Sequence, residues 1–304
     1  LVSVKREETL TRRILVTGAT GTVGGATMRT LKADADAGKI ELLGATRSKD
    51  GAAKLRDAGF APVELDFDDP ATLRPALKRV DSVFLLTGYS VDMLVQAKRL
   101  LDAAKAEGVS HIVHLGALAA PDTPHAHFAW HQLIERATEA MGFDWTHLHP
   151  NFFMDTVWNG FVRRPDRLVH FIGDRRASFV SSDDMAAVAA EALRNPQAHK
   201  GKSYPLAVEA MTFGELAGLL SDVTGRQVTY QPRPASELFA IMQRQGAEAN
   251  YARSLSEGIA AIESGEFTLA DATFDNVEQI IGRKPVGWRE FAAARLDELP
   301  AAAA

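Results

Sequence analysis

The chain contains no cysteine. A disulfide framework, a thiolate metal site and a cysteine nucleophile are thereby excluded, and a reducing cytoplasm fits as the compartment. It also lacks an apolar run long enough to span a bilayer, and the early stretch Val4-Lys-Arg-Glu-Glu-Thr has no apolar core of the signal-peptide kind. There is no excess of positive charge. With 34 basic against 39 acidic side chains and a net charge of −5, neither nucleic acid nor an anionic membrane is an expected partner. Internal repeats and low-complexity linkers are missing too. What remains is ordinary globular composition, 46% hydrophobic and 24% charged over 304 residues, enough for one large domain or two unequal ones acting on a small molecule. The first dozen residues and the closing Ala-Ala-Ala-Ala read as frayed ends.

The most informative stretch is Ile14-Leu-Val-Thr-Gly-Ala-Thr-Gly-Thr-Val-Gly-Gly25, where an apolar strand enters a glycine turn and leaves as a helix. Gly18, Gly21 and Gly24 are spaced G-x-x-G-x-x-G: the first lets the chain turn, the second admits a pyrophosphate and the third lets helix pack on strand. Thr20, Thr22 and Val23 belong to the same turn, whose free N–H groups and helix dipole favour phosphate. A strand (Arg13 to Thr17) before it, an amphipathic run (Ala26 to Ala33) after it and a second strand (Glu41 to Thr46) complete a βαβ unit.

The second strand ends in Arg47-Ser48-Lys49, where the carboxyl edge of a sheet meets an adenosine ribose. An acidic residue there would bind a free 2′-hydroxyl, whereas Arg47, with Ser48 and Lys49, offers charge-assisted bonds to a 2′-phosphate, so NADP(H) is favoured over NAD(H). Asp66 and Phe67 follow a third strand (Pro62 to Leu65) and are placed to touch adenine, although Asp66 is equally a turn or cap residue. Ser82 to Leu86 is a buried strand ending in Thr87-Gly88, a further cofactor contact. A helix (Val91 to Glu107), a strand (His111 to Leu115), a helix (His125 to Met141) and a sixth strand (Trp145 to Leu148) continue the alternation. Six strands with helical crossovers predict an α/β fold of the doubly wound, Rossmann type over residues 1–150. Residues 151–304 read as a smaller α+β substrate lobe. It would open on an apolar segment and an irregular region through Arg176, and would contain a helix from Met185 capped by Ser182 or Asp183, a strand Tyr204 to Val208 and C-terminal helices.

These features resemble the NmrA-like group of atypical short-chain dehydrogenases/reductases, a group that includes quinone reductases, triphenylmethane dye reductases and redox-sensing regulators. The resemblance rests on Thr17-Gly-Ala-Thr-Gly-Thr-Val-Gly24, Arg47, Asp66, Trp130-His131-Gln-Leu-Ile-Glu135, Trp145-Thr-His-Leu-His-Pro-Asn-Phe-Phe-Met154 and Ser182-Asp183-Asp184. It implies an NAD(P)H-dependent oxidoreductase. Short-chain dehydrogenases generally use a Ser, a Tyr and a Lys for acid–base work, and this chain keeps none of the three. Aligning Glu135 with the family's acidic residue puts His131 at the Lys position, His127 at the Tyr position and Gly116 or Ala117 at the Ser position.

His127 and His131, four apart on a helix, share a face that Glu135 extends, and imidazole near its ordinary pKa can move a proton at neutral pH. His131 is expected beside the nicotinamide ribose and His127 beside the substrate. The same i, i+4 spacing suits zinc, but no Glu lies inside it and no thiolate is available, so no metal is expected. Pro150, Asn151 and Phe152 after the sixth strand are expected at the cofactor, and Tyr89, Phe153, Met154 and Trp158 (with Phe161 nearby) at an aromatic substrate. A quinone or polycyclic aromatic, as in tailoring an aromatic natural product, needs little acid help. Two further readings stay open, a dinucleotide-binding redox sensor without turnover and an oxygenase-like or isomerase-like reaction in the same cleft; the oligomeric state is open as well.

Overall fold

The computed structural model describes residues 11–300. Residues 1–10 and 301–304, which cover most of the expected frayed ends, lie outside the described residues. Arg12 does not fray, because it opens the first strand and its guanidinium donates to Arg194 O at 2.9 Å and Ser82 Oγ at 2.9 Å.

The first half alternates strictly: β1 (Arg12–Val16), α1 (Thr22–Asp36), β2 (Ile40–Thr46), α2 (Lys49–Asp57), β3 (Ala61–Glu64), α3 (Pro70–Leu77), β4 (Ser82–Leu85), α4 (Met93–Glu107), β5 (His111–Leu115), α5 (Ala126–Ala140) and β6 (Asp144–Pro150). All these strands pair in parallel, in the order β3-β2-β1-β4-β5-β6. That is the doubly wound Rossmann arrangement, whose order reverses between β1 and β4. Strands such as Ile14-Leu15-Val16 and Val83-Phe84-Leu85 are wholly buried because helices cover both faces of the sheet.

The chain then runs through β7 (Phe152–Phe153), α6 (Met154–Val162), β8 (Arg167–His170), β9 (Arg176–Val180), α7 (Ser182–Arg194), α8 (Pro196–His199) and β10 (Lys202–Leu206). It ends with β11 (Glu209–Thr212), α9 (Phe213–Thr224), β12 (Thr229–Pro232), α10 (Leu238–Arg244), α11 (Ala249–Ser264), α12 (Asn276–Ile281) and α13 (Trp288–Ala293). Two expectations change here. The main sheet has seven strands, not six, since β10 adds in parallel beside β6, and α7 packs against α1 on the same sheet's face. Residues 182–206 thus belong with the first sheet, although they follow residue 150, because a strand joined by a helical crossover extends a parallel sheet at its free edge. The stretch expected to be irregular through Arg176 contains β8, which pairs in parallel with β12.

The N-cap of α7 is Ser181, not Ser182 or Asp183: Ser181 Oγ accepts from Asp184 N at 3.1 Å. Ser182 is engaged elsewhere, its N and Oγ both donating to Asp155, at 2.7 and 2.6 Å. The second core gathers Met154, Trp158, Phe161, Phe179, Phe213, Trp288 and Phe291. Among the described residues no helix is long and apolar enough to cross a membrane.

Candidate active site

A cleft of about 770 Å³ opens at the carboxyl edge of the sheet, beside the point where the strand order reverses. Thr17 holds that point together, its hydroxyl accepting from Leu86 N at 2.7 Å and donating to Phe84 O at 3.0 Å. The glycine turn forms one wall, lined by Gly18, Thr20, Gly21, Thr22, Val23 and Gly24. Gly18 has φ +59, a left-handed conformation that side chains with a Cβ resist. A Cβ on Gly24 would lie 2.2 Å from Gly18 O, so α1 can approach the turn only because residue 24 has no side chain. No side chain caps the start of α1 and no acidic residue occupies its first turn, which leaves its N–H groups for an anion.

At one end the cleft is lined by Arg47, Ser48, Asp66, Phe67, Asp68 and Gln96. Arg47 is exposed and sits at the tip of β2. The Ser48 hydroxyl caps α2 by accepting from Gly51 N at 3.0 Å, and Asp66 accepts from Asp68 N at 3.0 Å within its own turn. Lys49 does not line the cleft, because it is the first residue of α2 and the helix carries its side chain off to solvent.

The other end is lined by Thr87, Gly88, Tyr89, Leu115, His127, His131, Phe153, Asp155, Thr156, Asn159 and Tyr251. His127 and His131 lie edge to face, ring centroids 5.2 Å apart, and Tyr251 is 5.5 Å from His127. Neither imidazole keeps its ordinary pKa. Burial lowers His127 to about 4, and burial reinforced by His114 and His127 lowers His131 well below the usual value. At neutral pH both rings are therefore uncharged, which corrects the expectation of an imidazole poised near neutrality. Burial also pushes the Tyr251 phenol well up, with Tyr89 adding to the effect, so Tyr251 remains a neutral O–H donor. Glu135 lies behind this wall. Although burial raises its pKa, the neighbouring imidazoles of His114 and His149 outweigh that and hold the carboxyl well below the usual carboxylate range.

Six expected contacts are not on the cleft. Lys49 is one, for the reason above. Pro150 ends β6 buried, its carbonyl accepting from Leu118 N at 3.0 Å. The Asn151 amide donates to Ser178 Oγ at 2.9 Å and to Ala270 O at 3.0 Å, tying two segments of the second core's sheet region together. Phe152 packs on His170 and Phe179. Met154 and Trp158 are buried in the second core with Phe161, and Trp158 Nε1 donates to Glu298 Oε2 at 2.7 Å. The reason is helical phase. Residues 154, 158 and 161 make the inward stripe of α6, while Asp155, Thr156 and Asn159 on its other face reach the cleft. Those three, which the sequence reading missed, were available from that amphipathic spacing; Tyr251, on distant α11, carried no local signal.

At Gly116, one of the two residues aligned with the Ser position, a Cβ would come within 2.6 Å of Glu135 Oε1. The carboxylate occupies the space a serine side chain would need.

Residues 10–292 match the model of the NmrA-like family. The chain is 30% identical to an NAD(P)H azoreductase of Xenophilus azovorans, over 92% of this chain and 97% of that one. It is 31% identical to a (4-alkanoyl-5-oxo-2,5-dihydrofuran-3-yl)methyl phosphate reductase of Streptomyces griseus, over 92% and 96%. Among solved structures, the Citrobacter sp. triphenylmethane reductase complexed with NADP(H) superposes with a TM-score of 0.78 at 26% identity, covering 93% of this chain and 99% of that one.

Proposed function

The chain belongs to the NmrA-like family, and from that premise we propose that it is an NADPH-dependent reductase whose acceptor is a quinone-like or polycyclic aromatic molecule. The observation that carries this reading is the cleft itself, which runs from Arg47 past the glycine turn to a far end walled by Tyr89, His127, Phe153 and Tyr251. A dinucleotide suits the part from Arg47 to the glycine turn: guanidinium for a 2′-phosphate, uncapped helix for the pyrophosphate, and no Cβ at residue 21 or 24 to obstruct it. The names of the relatives point to an azo group, an unsaturated lactone and a triphenylmethane dye. All three are conjugated acceptors, which supports a conjugated acceptor here.

NADPH, when bound, supplies the hydride. A quinone-like acceptor takes that hydride together with one proton from water, whereas a cationic aromatic dye is neutralised by the hydride alone. The protein's part is to hold the acceptor between aromatic side chains, exclude water and present neutral donors to the atom where negative charge develops. His127 and Tyr251 fit that part, since a neutral imidazole N–H or phenol O–H polarises a carbonyl without itself being charged. Without the Ser, Tyr and Lys, such a site favours acceptors that need little acid assistance.

Purified protein should oxidise NADPH steadily on addition of a panel of quinones and cationic aromatic dyes. Tight NADPH binding with no turnover across the panel would leave the redox-sensor reading in its place. His127→Phe keeps the ring and removes the donor, and should lower kcat by about a hundredfold with little change in NADPH affinity. In the wild type, kcat/KM should stay flat through pH 6–8 as far as this residue is concerned, because His127 titrates at about 4. A fall in rate with a midpoint near 6.5 that vanishes in His127→Phe would show an imidazolium at work and refute the neutral-donor role. For the cofactor, Arg47→Ala should weaken NADPH by roughly tenfold or more and NADH hardly at all, as expected of a lost charge-assisted pair. Equal affinity of the wild type for the two dinucleotides would remove Arg47 from the 2′-phosphate.

A further inference from the structure

Directly behind the cleft, strands β5 and β6 and helix α5 enclose a cluster that the reductase reading does not use. His114 and His147 stand opposite each other on the paired strands, and Glu135 reaches them from the helix. One donor atom from each of the three lies within 4.8 Å of the other two, and both imidazoles are fully buried. His114 Nδ1 is 3.7 Å from Glu135 Oε1, and His149 Nε2 meets the same oxygen at 2.8 Å.

Two ring nitrogens in the cluster, His114 Nδ1 and His147 Nδ1, are buried without a hydrogen-bond partner. Unsatisfied buried nitrogens are costly, and a bound cation is one partner that would satisfy them. We propose that His114, Glu135 and His147 form a binding site for a first-row divalent cation, with zinc as the reference metal and His149 offering a fourth nitrogen.

The donor set suits that assignment. Imidazole nitrogens with one carboxylate oxygen are ligands for zinc and its neighbours, and the site has neither the oxygen count of a calcium site nor any thiolate. Ligand atoms around a tetrahedral ion with bonds near 2.1 Å stand about 3.4 Å apart. The 3.7 Å separation of His114 and Glu135 is already close to this, and all three donor atoms lie within 4.8 Å of one another. The cluster is distinct from the His127/His131 pair, whose spacing had raised the question of zinc. It nevertheless touches it: His114 Nε2 is 3.4 Å from His131 Nδ1. A metal on His114 Nδ1 would make Nε2–H the donor to His131 and so settle the tautomer that His131 presents at the cleft.

The test reads the metal and not the reaction. Metal-free full-length protein titrated with Co²⁺ should develop the visible bands of a four-coordinate nitrogen and oxygen site, saturating at one equivalent and bleached by Zn²⁺. Zn²⁺ at a hundredfold excess over its Kd should raise the unfolding midpoint by about 4 °C. His114→Asn and His147→Asn should each lose the bands and the shift, whereas His127→Phe should keep both. If folded wild-type protein shows no Co²⁺ band and no shift with Zn²⁺, there is no such site, whether or not the variants fold. Binding that survives His114→Asn with His147→Asn, or that disappears in His127→Phe, would assign the metal elsewhere and overturn the proposal.

Discussion

Replacing Gly24 by alanine is expected to abolish measurable NADPH binding and to lower the unfolding midpoint by roughly 5 °C. The added Cβ would lie 2.2 Å from Gly18 O and 2.7 Å from Gly18 C, both backbone atoms that no side-chain rotation can move aside. Strand and helix must separate, an overpacking cost of about 1–3 kcal/mol, and the N–H groups at the start of α1 lose their aim. Gly21 separates the two effects. Its Cβ would meet Gly18 O at 3.2 Å, a full ångström farther than at Gly24, so Gly21→Val is expected to keep the fold while filling the space a pyrophosphate needs. NADPH affinity is expected to fall by more than about a hundredfold in a protein whose melting is nearly unchanged. Calorimetric binding alongside thermal unfolding checks both variants, and undiminished NADPH affinity in folded Gly21→Val would remove the glycine turn from the binding site.

The second large effect is acid lability. His111, His127 and His170 all have folded-state pKa values lowered chiefly by burial, to about 4, about 4 and about 3. His170 is stacked on Phe213 with ring centroids 4.1 Å apart, and its Nδ1 has no partner. Because the folded state holds these rings neutral, the unfolded chain takes up protons first as the pH falls below about 6.5. Stability contributed by the three groups is therefore fully present above that pH and is lost progressively down to the folded pKa values. Each group changes stability by about 1.4 kcal/mol per pH unit once the unfolded imidazole is protonated. At pH 5 the three together remove about 5 kcal/mol relative to pH 7, comparable to the whole stability of many domains. Urea unfolding should show a midpoint that drops steeply between pH 6.5 and 5, with His170→Phe reducing the dependence by about a third. A midpoint that does not move between pH 7 and 5 would mean that these rings are protonated in the folded protein.

Much of the fold was legible in the residues because the signals are local. Apolar runs of four to seven residues, a glycine turn whose spacing has a steric reason, and glycines such as Gly108 and Gly282, which close α4 and α12 in the left-handed conformation, are each read within a few positions. For the same reason the sequence places Arg47 at the tip of β2, and it lines the cleft there. Local signals fail where the partner is far away in sequence. The strand read at Tyr204 to Val208 is there as Lys202–Leu206, but its place in the first sheet was not legible, because that depends on the free edge β6 offers to a chain returning through α7. Arg167–His170 is a strand only because Thr229–Pro232 lies alongside.

The cleft divides along the same line. Residue types and spacing alone determined a glycine turn between strand and helix, a cationic position at the tip of β2 and two histidines on one helical face. Tertiary structure decided the rest: that Met154 and Trp158 turn into a core while Asp155 and Asn159 turn out of it, and that Tyr251 arrives from α11 to stand beside His127. It also decided the charge on the histidines, since a pKa belongs to the burial and the neighbours of a ring and not to its place in the chain.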